Sequence, residues 1–134
     1  MNCYIFLLVA FSSTFHVNEK ACDKLIQGKY MATIDKQFKD TYGSFQLTIN
    51  DTTATRKIGF LTDVYKIQKI KECNFWFTKT YTVDTSNMTE LNKQISSLGQ
   101  PYYDIQFINT DTLKFVYRQN PHIMINSGIL VKVK

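Results

Sequence analysis

The sequence predicts a mainly β protein: an antiparallel up-and-down β-barrel with one short helix, preceded by an export signal. Three observations lead there. Apolar and polar residues alternate in Phe45/Leu47/Ile49, Phe75/Phe77, Tyr103/Ile105/Phe107, Leu113/Phe115/Tyr117 and Ile129/Val131/Val133. Period two marks a strand with one buried and one wet face. Turn residues separate these runs at short intervals. An apolar stretch stands ahead of them all, and after it only Cys22 and Cys73 remain as cysteines.

With 134 residues the chain suits one domain with a sizeable core and is short for two. It is 44% hydrophobic and 20% charged, which separates it from disordered chains. Ten Phe and eight Tyr favour strands and supply the area a core buries. The formal net charge of +5 admits nucleic acid, anionic lipid or an acidic surface as partner. The lysines are spaced singly, however, densest around Arg56, Lys57, Lys66, Lys69 and Lys71, so a solvated surface accounts for them.

The run YIFLLVAF, residues 4–11, is too short to span a bilayer and suits the apolar centre of a signal peptide. Small residues in Ala10-Phe11-Ser12 place cleavage near Ser12/Ser13. Residues 1–12 are therefore expected to be a leader and residues 22–134 a single barrel domain. No Lys or Arg precedes the run, and an N-terminal hydrophobic strand is the alternative. Cys3 would leave with the leader. Cys22 and Cys73 would remain, an even count suited to an oxidising compartment. A bridge between them would close a loop of about 50 residues and contribute about 4 kcal/mol; two separate thiols are the other reading. The expected location is secreted, periplasmic or in the cell envelope, with no transmembrane segment.

Taken in order, the first strand covers residues 29–35, with Tyr30, Ala32 and Ile34 on one face. Asp40-Thr41-Tyr42-Gly43 forms a turn. A second strand runs over 44–49, and Asn50-Asp51-Thr52-Thr53 turns again. Residues 55–71 hold one long strand or two short ones, with Gly59 read as a bulge. The clearest strand spans 75–83. Phe75, Phe77, Tyr81 and Val83 share a face with Lys79 as the exception, opposite Trp76, Thr78, Thr80 and Thr82. Over 89–98, Leu91, Ile95 and Leu98 fall at helical spacing. Thr89 or Asn87 caps this helix, Gly99 stops it, and a single apolar stripe packs it. Strands over 102–108 and 112–119 form a hairpin through Asn109-Thr110-Asp111. A short strand over 122–125, a turn at Asn126-Ser127-Gly128 and a last strand over 129–134 complete the chain. Seven or eight strands in near-neighbour order form a meander, and closure removes its exposed edges. A sandwich, or a sheet curled over the helix, is the alternative.

Reactive constellations are scarce. His16 and His122 are the two histidines, and His122, after Pro121, reads as a turn residue. A metal site needs three or four ligands, which one histidine and two half-cystines do not supply, so no metal or cofactor is expected. Asp35 with Asp40, and Asp104 with Asp111, read as turn and edge charges. No Gly-rich phosphate loop or nucleophile elbow is present. The sequons Asn50-Asp51-Thr52 and Asn87-Met88-Thr89 are of the number that chance provides. The expectation is a protein that is not an enzyme. Nucleic acid is not expected as a partner, since export would separate the two and no RNA-binding motif occurs.

Cys22 lies six residues before Gly28-Lys29-Tyr30, at the start of the first strand. Cys73 opens the aromatic strand Asn74-Phe75-Trp76-Phe77, and the chain closes on Gly128-Ile129-Leu130-Val131-Lys132-Val133. From Cys22 onward the chain resembles small secreted lipocalin-like proteins of bacteria. It carries Gly28-Lys29-Tyr30 where larger lipocalins have Gly-x-Trp. The resemblance implies a calycin-type barrel, whose interior holds side chains or one small apolar molecule. A small hydrophobic ligand lined by Phe75, Phe77, Phe107, Phe115 and Tyr117 is the leading expectation. The alternative is a surface module that binds a protein or envelope component through Trp76, Tyr102, Lys66 and Lys69.

Overall fold

The computed structural model describes residues 22–80, 86–97 and 99–134. The expected leader, Cys3, His16, Tyr81, Val83 and Leu98 lie outside these residues. Eight strands follow in chain order: β1 (Gly28–Ile34), β2 (Gln46–Ile49), β3 (Thr53–Ile58), β4 (Leu61–Lys71), β5 (Asn74–Lys79), β6 (Tyr102–Asn109), β7 (Thr112–Asn120) and β8 (Ile123–Lys132). Each pairs antiparallel with the next, and β8 returns to β1, so the sheet is a closed barrel. The expected up-and-down barrel is the observed architecture.

Register decides which residues face in. Tyr30 on β1 pairs with Leu47, Leu47 with Arg56, and Arg56 with Asp63. Further round, Phe77 pairs with Tyr103 and Phe75 with Ile105, while Ile105 pairs with Phe115 and Leu113 with Leu130. Alternation carries all of these to the interior. Tyr30, Leu47, Tyr65, Phe77, Ile105, Phe115 and Leu130 are essentially inaccessible there. Phe75 and Phe115 therefore fill the barrel together with Phe77.

The two ends differ. At the base, Cys22 and Cys73 are joined by a disulfide, with Cα atoms 5.0 Å apart. Leu25 joins the core cluster, and the Tyr30 hydroxyl donates to the Ile26 carbonyl at 2.7 Å. The stretch ahead of β1 thus covers the base. At the opposite end a 3-10 turn, Lys36–Phe38, lies in the β1–β2 connection. Its anchor is Asp35, which accepts from the Ser127 hydroxyl at 2.5 Å and donates its N–H to the Ser127 carbonyl at 2.9 Å.

Four expectations are corrected. Gly59 is no bulge: it opens a two-residue turn, Gly59–Phe60, with Ile58 and Leu61 paired across it. Its φ of +54° is open to glycine at little cost, and residues 53–71 are two strands joined by this hairpin. Asn126-Ser127-Gly128 is not a turn but the middle of β8, with Asn126 and Ser127 buried. The apolar alternation Ile129/Val131/Val133 faces outward, all three being over 40% exposed, and Leu130 is the inward residue. Gly128 occupies the inward position two residues before Leu130, which sets this register. Finally, the helix α1 (Glu90–Ser97) forms, with the Asn92 N–H donating to the Thr89 hydroxyl at 3.3 Å as its cap. The two described residues of its stripe do not pack, since Leu91 is 66% and Ile95 49% exposed. The barrel has already filled its own core, and α1 lies outside it in the β5–β6 connection.

Candidate functional site

A polar and aromatic cluster occupies the interior at the end opposite the disulfide. β3 and β4 supply it through their hairpin register, which sets Arg56 against Asp63. Arg56 donates to an Asp63 carboxylate oxygen at 2.5 Å and to the Tyr103 hydroxyl at 2.7 Å. Lys79, at the end of β5, donates to the other Asp63 oxygen at 3.4 Å. Lys79, the exception on its sequence face, does point inward, and this carboxylate is what holds it there.

Aromatic rings complete the cluster. The Arg56 guanidinium lies 5.6–5.7 Å from the ring centroids of Tyr65, Tyr103 and Tyr117. Tyr103 and Tyr117 stack at 4.4 Å with planes 23° apart, while Tyr65 meets Tyr103 edge-on at 5.4 Å. Phe45 and Phe115 pack beneath Tyr103 at 5.8 Å each. Above these rings opens a cup of about 260 Å³. Its walls include Ile34, Ile58, Tyr117 and Asn126, and Thr41, Tyr42 and Gly43 of the β1–β2 connection form one rim.

Burial works against the Arg56 charge, but Tyr103 and the hydrogen bond to Asp63 outweigh it, so the guanidinium stays firmly protonated. Burial likewise acts to raise the Asp63 carboxyl, yet the Arg56 hydrogen bond and charge, with those of Lys79, hold it below its ordinary range. Burial pushes the Tyr103 hydroxyl up to about 12 and the Tyr65 hydroxyl further. Three buried polar atoms have no partner among the described residues: Arg56 Nε, the Tyr65 hydroxyl and Asn126 Oδ1. Such atoms are costly unless something meets them. Arg56 and Asn126 both line the cup.

Comparison with protein-family models, with curated proteins and with solved structures gives no match. Aromatic rings wall the cup, and the Arg56 guanidinium, its side chain 14% exposed, borders it. Apolar walls with a few convergent polar groups are the general make-up of small-molecule sites. Among the described residues no three His, Cys, Asp or Glu side chains gather as a metal site.

Of the five expected lining residues, Tyr117 alone borders this cup. Phe107 is half-buried against the core. Phe75 borders a separate cavity of about 260 Å³ at the base, with Leu25, Ile67 and Lys69. The expected surface set is divided. Trp76 and Tyr102 meet on the outer face with ring centroids 4.8 Å apart and planes tilted by 42°, but Tyr102 is buried. Lys66 faces outward, while Lys69 lies on the alternate face and pairs with Asp23 at 2.9 Å. His122 is a turn residue, as expected, its N–H donating to Asn120 Oδ1 at 2.9 Å. Asp104 joins Asn74 and Arg118 rather than Asp111.

Asp63 has a measurable signature. Its depressed pKa adds stability above the ordinary carboxylate range, and this is lost as pH falls through the folded value. Asp63→Asn is expected to cost about 2 kcal/mol at neutral pH. It should also flatten the decline in urea stability of the wild type below about pH 4.

Proposed function

We propose that this protein is an exported, non-enzymatic barrel that holds one small, largely apolar molecule in the cup at its open end. The observation that carries the reading is an aromatic cup bordered by Arg56 and Asn126, two residues that each hold a buried polar atom without a partner among the described residues. At about 260 Å³ the cup lies just under the usual range of roughly 300–1,000 Å³, so the molecule is small. Its body lies against Tyr117, which Tyr103 backs, and its acceptor group meets Arg56. The barrel architecture is the one that the lipocalin-like resemblance implies, and kinship with those proteins belongs to this reading. Export is supported by the Cys22–Cys73 bond and by the apolar run over residues 4–11. No helix among the described residues is long and apolar enough to cross a membrane.

The test uses 2-naphthoate, a flat apolar body with one carboxylate, followed by calorimetry. Arg56→Gln is expected to weaken its binding by about tenfold to a hundredfold, the range for a hydrogen bond to a charged group. Tyr117→Leu removes the stacking wall but not the charge and is expected to weaken it by about tenfold. Unchanged affinity in both folded variants would place the molecule elsewhere.

A further inference from the structure

We propose that the open end of the barrel docks on a phospholipid bilayer containing anionic lipid, with the β3–β4 hairpin tip inserted into its surface. The inference stands apart from what fills the cup. At the tip, Phe60 is fully exposed and Leu61 is 72% exposed, with Ile58 paired across the turn to Leu61. Scattered apolar residues on a surface need no explanation, but a contiguous group does. None of the three packs in the core cluster.

Shape and charge select the partner. A two-residue turn is convex and narrow, so it offers no groove to a protein segment. A side chain projecting from it is buried most readily by entering a soft apolar phase. Lys57 adjoins the tip and pairs with Gln46, where the β1–β2 connection ends. That connection carries Lys36 and Lys39 at the same end of the barrel. All three lysines are exposed, and none has an ion pair among the described residues. Of the carboxylates beside them, Asp35 is held by Ser127 and Asp63 by Arg56 and Lys79, which leaves Asp40. A basic margin around an apolar point suits an anionic leaflet. The chain's net charge of +5 acts in the same direction. Ile123 and Met124, at the start of β8, add partly exposed apolar surface at this end. Ile58 belongs both to the tip and to the cup wall, so insertion would bring the cup's mouth to the lipid.

The full chain is mixed with vesicles of phosphatidylcholine alone, or of phosphatidylcholine with phosphatidylglycerol, and sedimented. Binding to the mixed vesicles, weakening with added salt, is expected. The double variant Phe60→Ser/Leu61→Ser should bind them at least about tenfold more weakly. Lys57→Glu should weaken binding to the mixed vesicles only. The apolar run over residues 4–11 is present in every chain compared, so the difference isolates the tip. Unfolding midpoints confirm that the variants fold. In a Trp76→Phe background, Phe60→Trp should shift its fluorescence to the blue on the mixed vesicles. The proposal is overturned if the wild type does not bind the mixed vesicles, or if the double variant binds them equally well. It is also overturned if the tip variant abolishes capture of a protein while leaving vesicle binding unchanged.

Discussion

Gly128→Ala is expected to destabilise the barrel by about 3 kcal/mol, the upper end of the cost of overpacking. A Cβ at this position would lie 2.2 Å from the Thr33 carbonyl oxygen and 2.9 Å from two Phe115 ring atoms. Neither neighbour has room to yield. Thr33 belongs to the β1 backbone, and Phe115 is wholly buried. Gly128 pairs with Ile34 on one side and Phe115 on the other, so it sits at the seam where β8 meets β1 and the sheet closes. The glycine is required by close approach rather than by backbone conformation. Gly43→Ala is the matched control, since nothing lies within 4 Å of a Cβ there. It should change stability by less than about 0.5 kcal/mol. Urea unfolding of the two variants makes the comparison, and equal midpoints would contradict the closed seam.

Loss of the disulfide is the second large effect. Cys22→Ser/Cys73→Ser is expected to cost about 4 kcal/mol, the chain-entropy value for a loop of this size. The sequence separation is 51 residues. The bond fastens the stretch that covers the base to the turn between β4 and β5. That turn is tight: Cys73 has φ +58°, a left-handed conformation that L residues with a Cβ adopt at a cost of about 1 kcal/mol. Cys73 also accepts at its carbonyl from the Phe107 N–H at 2.9 Å, which ties the turn to β6. Reduction of the wild type should reproduce the loss in thermal and urea midpoints. Thiol titration of the unreduced protein should find both cysteines protected, and two free thiols would contradict the bond.

The fold was legible because alternation is a local signal. Tyr30/Ala32/Ile34 and Leu113/Phe115/Tyr117 announce their inward faces with no knowledge of their neighbours, and near-neighbour pairing then gives a barrel. Alternation misleads where both faces of a strand are apolar. Over 129–133 the outward Ile129 and Val131 outnumber the inward Leu130, and it is the barrel's closure, with no room for a Cβ at Gly128, that decides which face is buried. Helical spacing likewise gave α1 but not its packing. Amphipathicity states that a stripe exists, whereas burial depends on whether a core is left to receive it.

The site was hidden for a related reason. Arg56 follows Ala54 and precedes Ile58 at period two, and Asp63 leads into Tyr65 and Ile67, so both charges stand on inward faces. Read singly, Arg56 belongs with the basic surface residues. Its pairing with Asp63 depends on the Gly59–Phe60 turn, and a bulge at Gly59 would have left the register of both strands unset. Asn126 was concealed in the same way, within a segment whose composition reads as a turn. Tyr117 was found because aromatic alternation alone places it inside.

The most direct test of the cup is nuclear magnetic resonance mapping of the full chain titrated with 2-naphthoate. Saturable binding of one molecule per chain is expected, with the largest shifts at Tyr42, Arg56, Ile58, Tyr103, Tyr117 and Asn126. Absence of saturable binding would contradict the account, as would shifts gathered at the base around Leu25, Ile67 and Phe75.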